Sequence, residues 1–198
     1  MKTTFNAVKL YSILTLVMVM LCDLPAFSKV IKVPGFKAYQ NDPSIRIEFE
    51  TPPGMYEDVE SEKMHGFYKI YLPNGENFED SVMAIVVNCQ KKSSKLNTLD
   101  IFIRFNVEYF RSIYPETKIS ILQLPEDVTH KLNTLKIPNY AVFLKSNSEV
   151  DISDNAVLFF ETNKGLWSIS YIAPEEAIKG DMRDIFLSFI KNMDLEVK

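Results

Sequence analysis

One cysteine and two histidines are the residues best suited to nucleophilic chemistry in this chain: Cys89, His65 and His130. A catalytic cysteine needs a base within hydrogen-bonding reach and a lowered pKa. Cys89, however, closely follows the apolar run at residues 82–87, and a thiol in such a strand is usually a small buried hydrophobe. The histidines lie far apart in sequence and form no ligand pair spaced i, i+4, which makes a poor zinc site. We therefore predict no catalytic residue, no cofactor-binding residue and no metal ligand.

Two acidic stretches are weaker candidates for a cation site or for contact with a basic partner. Their members are Glu57, Asp58, Glu60 and Glu62 in the first, and Asp151, Ser153 and Asp154 in the second. Calcium loops space their oxygen ligands regularly, place a glycine at the bend and end on a bidentate glutamate. Neither stretch meets these requirements, so both are interpreted as solvated loops. The chain also lacks a glycine-rich phosphate loop, G-x-S-x-G and H-E-x-x-H.

Aromatic residues are abundant, with 9 tyrosines and 14 phenylalanines. Tyr68, Tyr71 and Tyr140 could line a cleft that binds a ligand or a peptide. Aromatic side chains also fill the space between a sheet and its helices, and this interpretation is favoured.

The first 28 residues have the pattern of a secretory signal peptide. Lys2 and Lys9 precede an apolar run at residues 10–22, and Ala26-Phe27-Ser28 forms a small-residue cleavage pattern. We predict cleavage after Ser28. Lipidation of Cys22 is rejected because the preceding residue is a leucine rather than a small residue. The run is also shorter than the ~20 residues that a membrane span needs.

The predicted mature chain, residues 29–198, is long enough for a single domain with its own core. Removal of the signal peptide changes the net charge from −4 to −5, which disfavours nucleic acid as a partner. Only Cys89 remains, so no intramolecular disulfide can form. No other segment is apolar enough to span a membrane. We expect a monomer, exported by a bacterium to the periplasm or secreted, whose partner is an unknown protein or small ligand.

The pattern of apolar residues predicts an α+β fold, a mostly antiparallel sheet with helices packed on it. Residues 99–114 alternate like a strand and also fit a helical stripe; their length, the N-cap Thr98 and the stop at Pro115 favour a helix. Gly165 is expected to supply a positive φ in the last hairpin. Trp167 of that hairpin should share one core with the final helix. The last helix is predicted at residues 178–193. Residues 146–155 are predicted to be a polar connector, and the segment that contains His130 a linker. The predicted strands are residues 45–50, 66–72, 82–87, 118–124, 140–144, 157–160 and 166–172.

The order of these elements resembles the PsbP-like family, the fold of the photosystem II extrinsic subunit PsbP and of the Ran-binding Mog protein. Four features carry the resemblance: an early strand that runs into Pro52-Pro53-Gly54, a mid-chain helix between strands, the hairpin around Asn163-Lys164-Gly165, and a last helix containing residues 185–190. The resemblance covers residues 44–195. It implies an antiparallel sheet with helices on both faces, and a binding or accessory role. No functional residue is carried over.

The sequence thus favours an exported, non-catalytic binding or accessory protein of the bacterial cell envelope. Two alternatives remain: an enzyme with a dispersed site involving Cys89 and a histidine, and a secreted effector. The signal peptide alone does not distinguish the envelope from the exterior.

Overall fold

The structure is a computed structural model that describes residues 42–146, 153–174 and 181–198. The predicted signal peptide, Asp151 and the start of the predicted last helix lie outside these ranges. The elements are β1 (Ile45–Glu48), β2 (Met55–Glu57), α1 (Val59–His65), β3 (Lys69–Pro73), β4 (Ala84–Lys91), α2 (Leu99–Ile113), β5 (Lys118–Ile121), α3 (Glu126–Thr134), β6 (Asn139–Lys145), β7 (Ser153–Glu161), β8 (Gly165–Pro174), α4 (Asp181–Lys191) and β9 (Asp194–Val197).

Seven strands form one sheet in the order β2-β3-β4-β8-β7-β6-β5, and every neighbouring pair is antiparallel. β8 is the middle strand, and its register places Trp167 opposite Cys89 of β4 on one side and Phe160 of β7 on the other. β1 and β9 pair separately as a two-stranded antiparallel ribbon. The predicted antiparallel sheet is therefore confirmed.

Helices cover both faces of the sheet. β7 is apolar on both faces, whereas the middle strand β8 carries the buried Ser168 and Ser170 on its second face. Trp167, Ile169 and Tyr171 face a core that also contains Phe186 and Phe189 of α4. This core includes Val128 and Leu132 of α3 as well. The other face packs Val157 and Phe159 of β7 against Phe102 and Phe110 of α2. The predicted α+β fold is confirmed, and so is the single core shared by Trp167 and the last helix.

The ambiguous segment at residues 99–114 is a helix, as predicted. Thr98 is its N-cap, and the Thr98 hydroxyl accepts a hydrogen bond from the Ile101 amide. Phe102, Asn106 and Phe110 are its buried residues and recur every four positions, which lines one face of a helix. The helical stripe prevails over the strand-like alternation because it buries this face against the sheet.

The prediction that Gly165 supplies a positive φ is wrong. Among the described residues the glycines with positive φ are Gly54, Gly66 and Gly75. The turn closes through Thr162: the Thr162 amide donates to the Gly165 carbonyl, and the Gly165 amide donates to the Thr162 hydroxyl. Because the threonine side chain completes this pair of bonds, no left-handed residue is needed.

Four elements were not predicted: β2, α1, α3 and β9. Part of the first acidic stretch is α1, whose N-cap Asp58 accepts from the Ser61 amide, so the solvated-loop interpretation is wrong there. The linker with His130 contains α3, which buries only Val128 and Leu132. The last helix ends at residue 191 and β9 follows it. The polar connector gives way to β7 at residue 153.

Within the described ranges, no helix is both long and apolar enough to cross a membrane.

Candidate functional site

Cys89 is a buried structural thiol. It lies on β4 in the same core as Trp167 and is fully inaccessible to solvent. Burial raises the pKa of the Cys89 thiol, and the nearby negative charge of Asp42 acts in the same direction. A thiol in this environment stays protonated at neutral pH and is a poor nucleophile.

The two histidines lie elsewhere. The ring of His65, at the end of α1, packs 4.6 Å from the ring of Phe78. Phe78 shares a cluster with Ala84 and Val86 of β4, which point to the sheet face opposite Cys89. His130 lies exposed on α3. The structure thus does not bring the thiol of Cys89 together with either imidazole. In the described part of the chain, no three histidine, cysteine, aspartate or glutamate side chains are grouped to hold a metal ion.

The three tyrosines do not share a cleft. Tyr71 is buried in the core, where desolvation raises the pKa of its phenol. Tyr68 is half-buried with its ring edge-on to Trp167. Tyr140 is exposed on β6, which three strands separate from β3. Core packing therefore accounts for Tyr71.

The second acidic stretch is not described in full: the side chains of Ser153 and Asp154 lie outside the described residues.

A buried carboxylate lies beneath the β7–β8 turn. Asp42 accepts hydrogen bonds from the amide of Ser44 at 2.9 Å and from its hydroxyl at 2.5 Å. Its second oxygen accepts from the hydroxyl of Thr162, which lies 120 positions later in the chain. This network fixes the segment that enters β1 against the turn.

Gly165 is required because this network leaves no room for a side chain. A Cβ atom at Gly165 would lie 2.7 Å from an Asp42 carboxylate oxygen, 2.9 Å from the indole nitrogen of Trp167 and 3.0 Å from the Cys89 sulfur. These distances are well inside van der Waals contact. Among the described residues, the buried indole nitrogen has no hydrogen-bond partner.

A cavity of about 240 Å³ opens directly beside the turn, and we name it the hairpin-end cleft. One part of its lining is apolar and comes from the β1–β9 ribbon and from the segment that joins α3 to β6. The other part is polar or charged and comes mainly from the turn and from the residue after β4. The cleft is lined by Ser44, Ile45, Lys92, Leu135, Lys136, Ile137, Pro138, Glu161, Thr162, Asn163 and Val197.

Two of the charges in the cleft neutralise each other. The Lys92 ammonium lies 2.6 Å from one carboxylate oxygen of Glu161. The other oxygen accepts a hydrogen bond from the Leu99 amide at 2.8 Å, at the N-terminus of α2. A carboxylate is stabilised there because it meets an unpaired amide and the positive end of the helix dipole. Lys92 and Glu161 thus form a fixed part of the wall.

Lys136 carries the remaining charge of the lining and has an unusual backbone. The Lys136 amide donates to the Asn133 carbonyl and the Ile137 amide donates to the Leu132 carbonyl. This pair of bonds is the Schellman motif, in which the residue after the C-cap adopts the left-handed conformation. Lys136 has a φ of 53°. Ile137 and Leu132 are both buried in the core, which supplies the hydrophobic contact that accompanies the motif.

Sequence reasoning missed every polar residue of this site. An aspartate two positions before a serine is a local signal for a turn that closes on its own backbone, and Asp42 and Ser44 do form one. No local pattern connects that turn to Thr162. The lysines of the cleft are scattered over the chain and form no cluster in the sequence.

No protein-family model matches the chain, and no curated protein matches it in sequence. Among solved structures, the chain is similar to the solution structure of cyanobacterial PsbP (CyanoP) from Synechocystis sp. PCC 6803. The similarity has a TM-score of 0.48 at 10% sequence identity and covers 83% of this chain and 100% of that chain. The resemblance in fold that the order of elements predicted is found again in this comparison, and it concerns the fold alone.

Proposed function

We propose that the protein is an exported, non-catalytic binding or accessory protein of the bacterial cell envelope, and that the hairpin-end cleft is its binding site. The observation that carries this proposal is the cleft itself: a concave space with an apolar wall, a charged wall and a buried hydrogen-bond network behind it. Binding sites for small molecules typically combine apolar surface with a few fixed polar groups.

The size of the cleft favours a small ligand or the end of a longer one. Its volume of about 240 Å³ lies below the ~300–1,000 Å³ of pockets that hold drug-sized molecules. It is roughly the volume that eight water molecules occupy in the liquid.

The cleft can be tested by amide chemical-shift mapping of the exported protein with a library of small organic fragments. We expect the shifts to cluster on Ser44, Ile137 and Asn163. Val197→Trp, on the cleft wall, should abolish them, because Val197 is 45% exposed and a larger side chain there fills the cleft. Val82→Trp is the matched control at a similarly exposed valine, 54%, that does not line the cleft. Shifts that cluster elsewhere, or that survive Val197→Trp, would contradict the assignment.

The burial of Cys89 separates this proposal from the enzyme alternative. We expect the thiol of the folded protein to react with iodoacetamide far more slowly than that of the unfolded protein, because its pKa is raised and it is inaccessible. The label is followed by mass spectrometry of the peptide that contains Cys89. Rapid labelling of the folded protein at neutral pH would support the enzyme alternative.

Export rests on the sequence pattern at residues 1–28. Intact-mass analysis of the protein recovered from the periplasm or the medium should give a chain that begins at Lys29. A mass that retains the first 28 residues would overturn the export step and leave the cleft proposal standing.

A further inference from the structure

Lys136 keeps a charged side chain at a backbone position that disfavours it. It is the only residue other than glycine with a positive φ in the described ranges. Helices that end in this conformation usually place glycine there, or sometimes asparagine. α1 follows the rule, with Gly66 at a φ of 69°. A strained residue that persists on the wall of a cleft is a reason to look for a functional role of its side chain.

The charge of Lys136 is also the unbalanced charge of the cleft. Lys92 and Glu161 are paired with each other. Lys136 forms no ion pair within the described part of the chain, and its side chain is exposed. Lys164, adjacent to the lining residue Asn163, is exposed as well. The lining thus carries one positive charge without a counter-charge in the lining, that of Lys136. The Asp42 carboxylate behind the lining is buried and held by three hydrogen bonds.

The apolar wall lies beside this charge. Leu135 and Ile137 flank Lys136 in sequence, and Ile45 and Val197 of the β1–β9 ribbon complete the apolar surface. A ligand that satisfies both walls carries an anionic group on a short aliphatic body.

We propose that the hairpin-end cleft binds a carboxylate carried on a short aliphatic body, and that Lys136 selects the acid over its neutral analogues. This inference rests on the proposed function, because it takes the cleft as the ligand site. A free small acid and the C-terminal residue of a peptide present the same chemistry, and the experiment distinguishes them.

The exported protein is titrated with two pairs of probes, followed by amide chemical shifts. The first pair is hexanoate and hexanamide. The second pair is an acetylated alanyl-alanyl-valine tripeptide with a free C-terminus and the same tripeptide as its amide. We expect the acid of at least one pair to bind about fivefold more tightly than its amide, as for a partly exposed ion pair. The preference should weaken at high salt. The pair with the tighter acid identifies the source.

Three variants isolate the role of Lys136. Lys136→Gly should remove the acid preference and raise Tm by about 2–4 °C, because glycine adopts positive φ without strain. Lys136→Arg should keep the preference. Gly75→Lys is the matched control: Gly75 has a φ of 87° and open space around its Cβ position, and it lies outside the cleft. It should lower Tm by a similar amount and leave the acid preference unchanged.

The outcomes separate this inference from the proposed function. Equal binding of acids and amides, or an acid preference that survives Lys136→Gly, overturns the role of Lys136 and leaves the cleft as a ligand site. No shift at the cleft with any of the four probes overturns the carboxylate assignment, and the fragment library then decides whether the cleft binds ligands at all. Because Lys136→Gly is expected to be more stable than the parent protein, loss of folding does not obscure the result.

Discussion

Two buried carboxylates, those of Asp42 and Glu62, differ in how their negative charge is stabilised. Asp42 is 6% exposed and Glu62 is 7% exposed. Asp42 accepts three hydrogen bonds, from the Ser44 amide and from the hydroxyls of Ser44 and Thr162. Glu62 accepts one, from the Ile70 amide, and its other oxygen lies 4.0 Å from the Lys69 ammonium. Lys69 in turn is bound to Glu57.

Because Glu62 accepts only one hydrogen bond, its charged form is weakly stabilised. Desolvation raises the pKa of its carboxyl, and the Ile70 hydrogen bond and the Lys69 charge only partly oppose this. A buried charge destabilises unless it is well hydrogen-bonded or paired. Asp42 has such donors, and they belong to two distant segments that border the cleft. Asp42 is therefore interpreted as a support of the candidate site, and Glu62 as a link between α1 and β3.

Removal of Asp42 should have the largest effect. Asp42→Ala removes the acceptor of the Ser44 amide and hydroxyl, and it leaves the Thr162 hydroxyl only the Gly165 carbonyl, 3.1 Å away. We expect a loss of about 3 kcal/mol in the free energy of unfolding. Glu62→Ala orphans one amide and also removes a poorly stabilised charge, so its loss should be smaller. Urea denaturation of both variants measures the difference.

A double-mutant cycle sharpens this result. Thr162→Val destabilises by itself, because it also removes the acceptor of the Gly165 amide. The loss in the double variant Asp42→Ala/Thr162→Val should nevertheless be smaller than the sum of the two single losses, because both single variants break the same bond between Asp42 and Thr162. Equal losses for Asp42→Ala and Glu62→Ala, or strictly additive effects of Asp42→Ala and Thr162→Val, would contradict the supporting role of Asp42.

The network around Asp42 includes a glycine whose substitution should have the next largest effect. Gly165→Ala places a methyl group 2.7 Å from the carboxylate and 2.9 Å from the indole nitrogen. We expect a loss of about 2 kcal/mol from overpacking. The chain has one tryptophan, Trp167, so tryptophan fluorescence reports on the surroundings of Trp167 alone.

Gly75→Ala controls for the cost of replacing a glycine. Its Cβ would have no neighbour within 4 Å, but its φ of 87° makes it strained. It should reduce stability without changing the emission of Trp167, whereas Gly165→Ala should change both. Unchanged emission in Gly165→Ala would show that the space around Gly165 is larger than its contacts indicate.

What the sequence could predict depended on how far apart the interacting residues lie. The last hairpin and α2 follow from apolar patterns within a few residues, and both are confirmed. α3 was missed because its only buried residues are Val128 and Leu132. β9 was missed because it has a single inward side chain, Leu195.

The candidate site was invisible for a stronger reason. Its central bond joins Asp42 to Thr162 across 120 positions, and no local periodicity encodes such a contact. The left-handed residue at the end of α3 is Lys136, so the usual glycine or asparagine signal was absent. Gly165 was predicted to supply a positive φ in the turn, which is wrong; its importance lies in the lack of space for a Cβ atom.

The smallest expected effect is a dependence on pH that belongs to Glu62. Because burial raises the pKa of Glu62 above its ordinary value of 4.5, the folded protein holds this proton more tightly than the unfolded chain does. Its contribution to stability is therefore fully present below pH 4.5 and is lost as the pH rises through the folded pKa.

Glu62→Gln tests this dependence, because it keeps an acceptor for the Ile70 amide and cannot ionise. The urea midpoint of the variant should match that of the parent protein near pH 4 and exceed it at pH 8. Glu57→Gln, which removes the other carboxylate bound to Lys69, is the control and should show no such gain. A Glu62→Gln variant that loses stability as the pH rises relative to the parent would mean that the charge of Glu62 is well paired, and the contrast with Asp42 would fail.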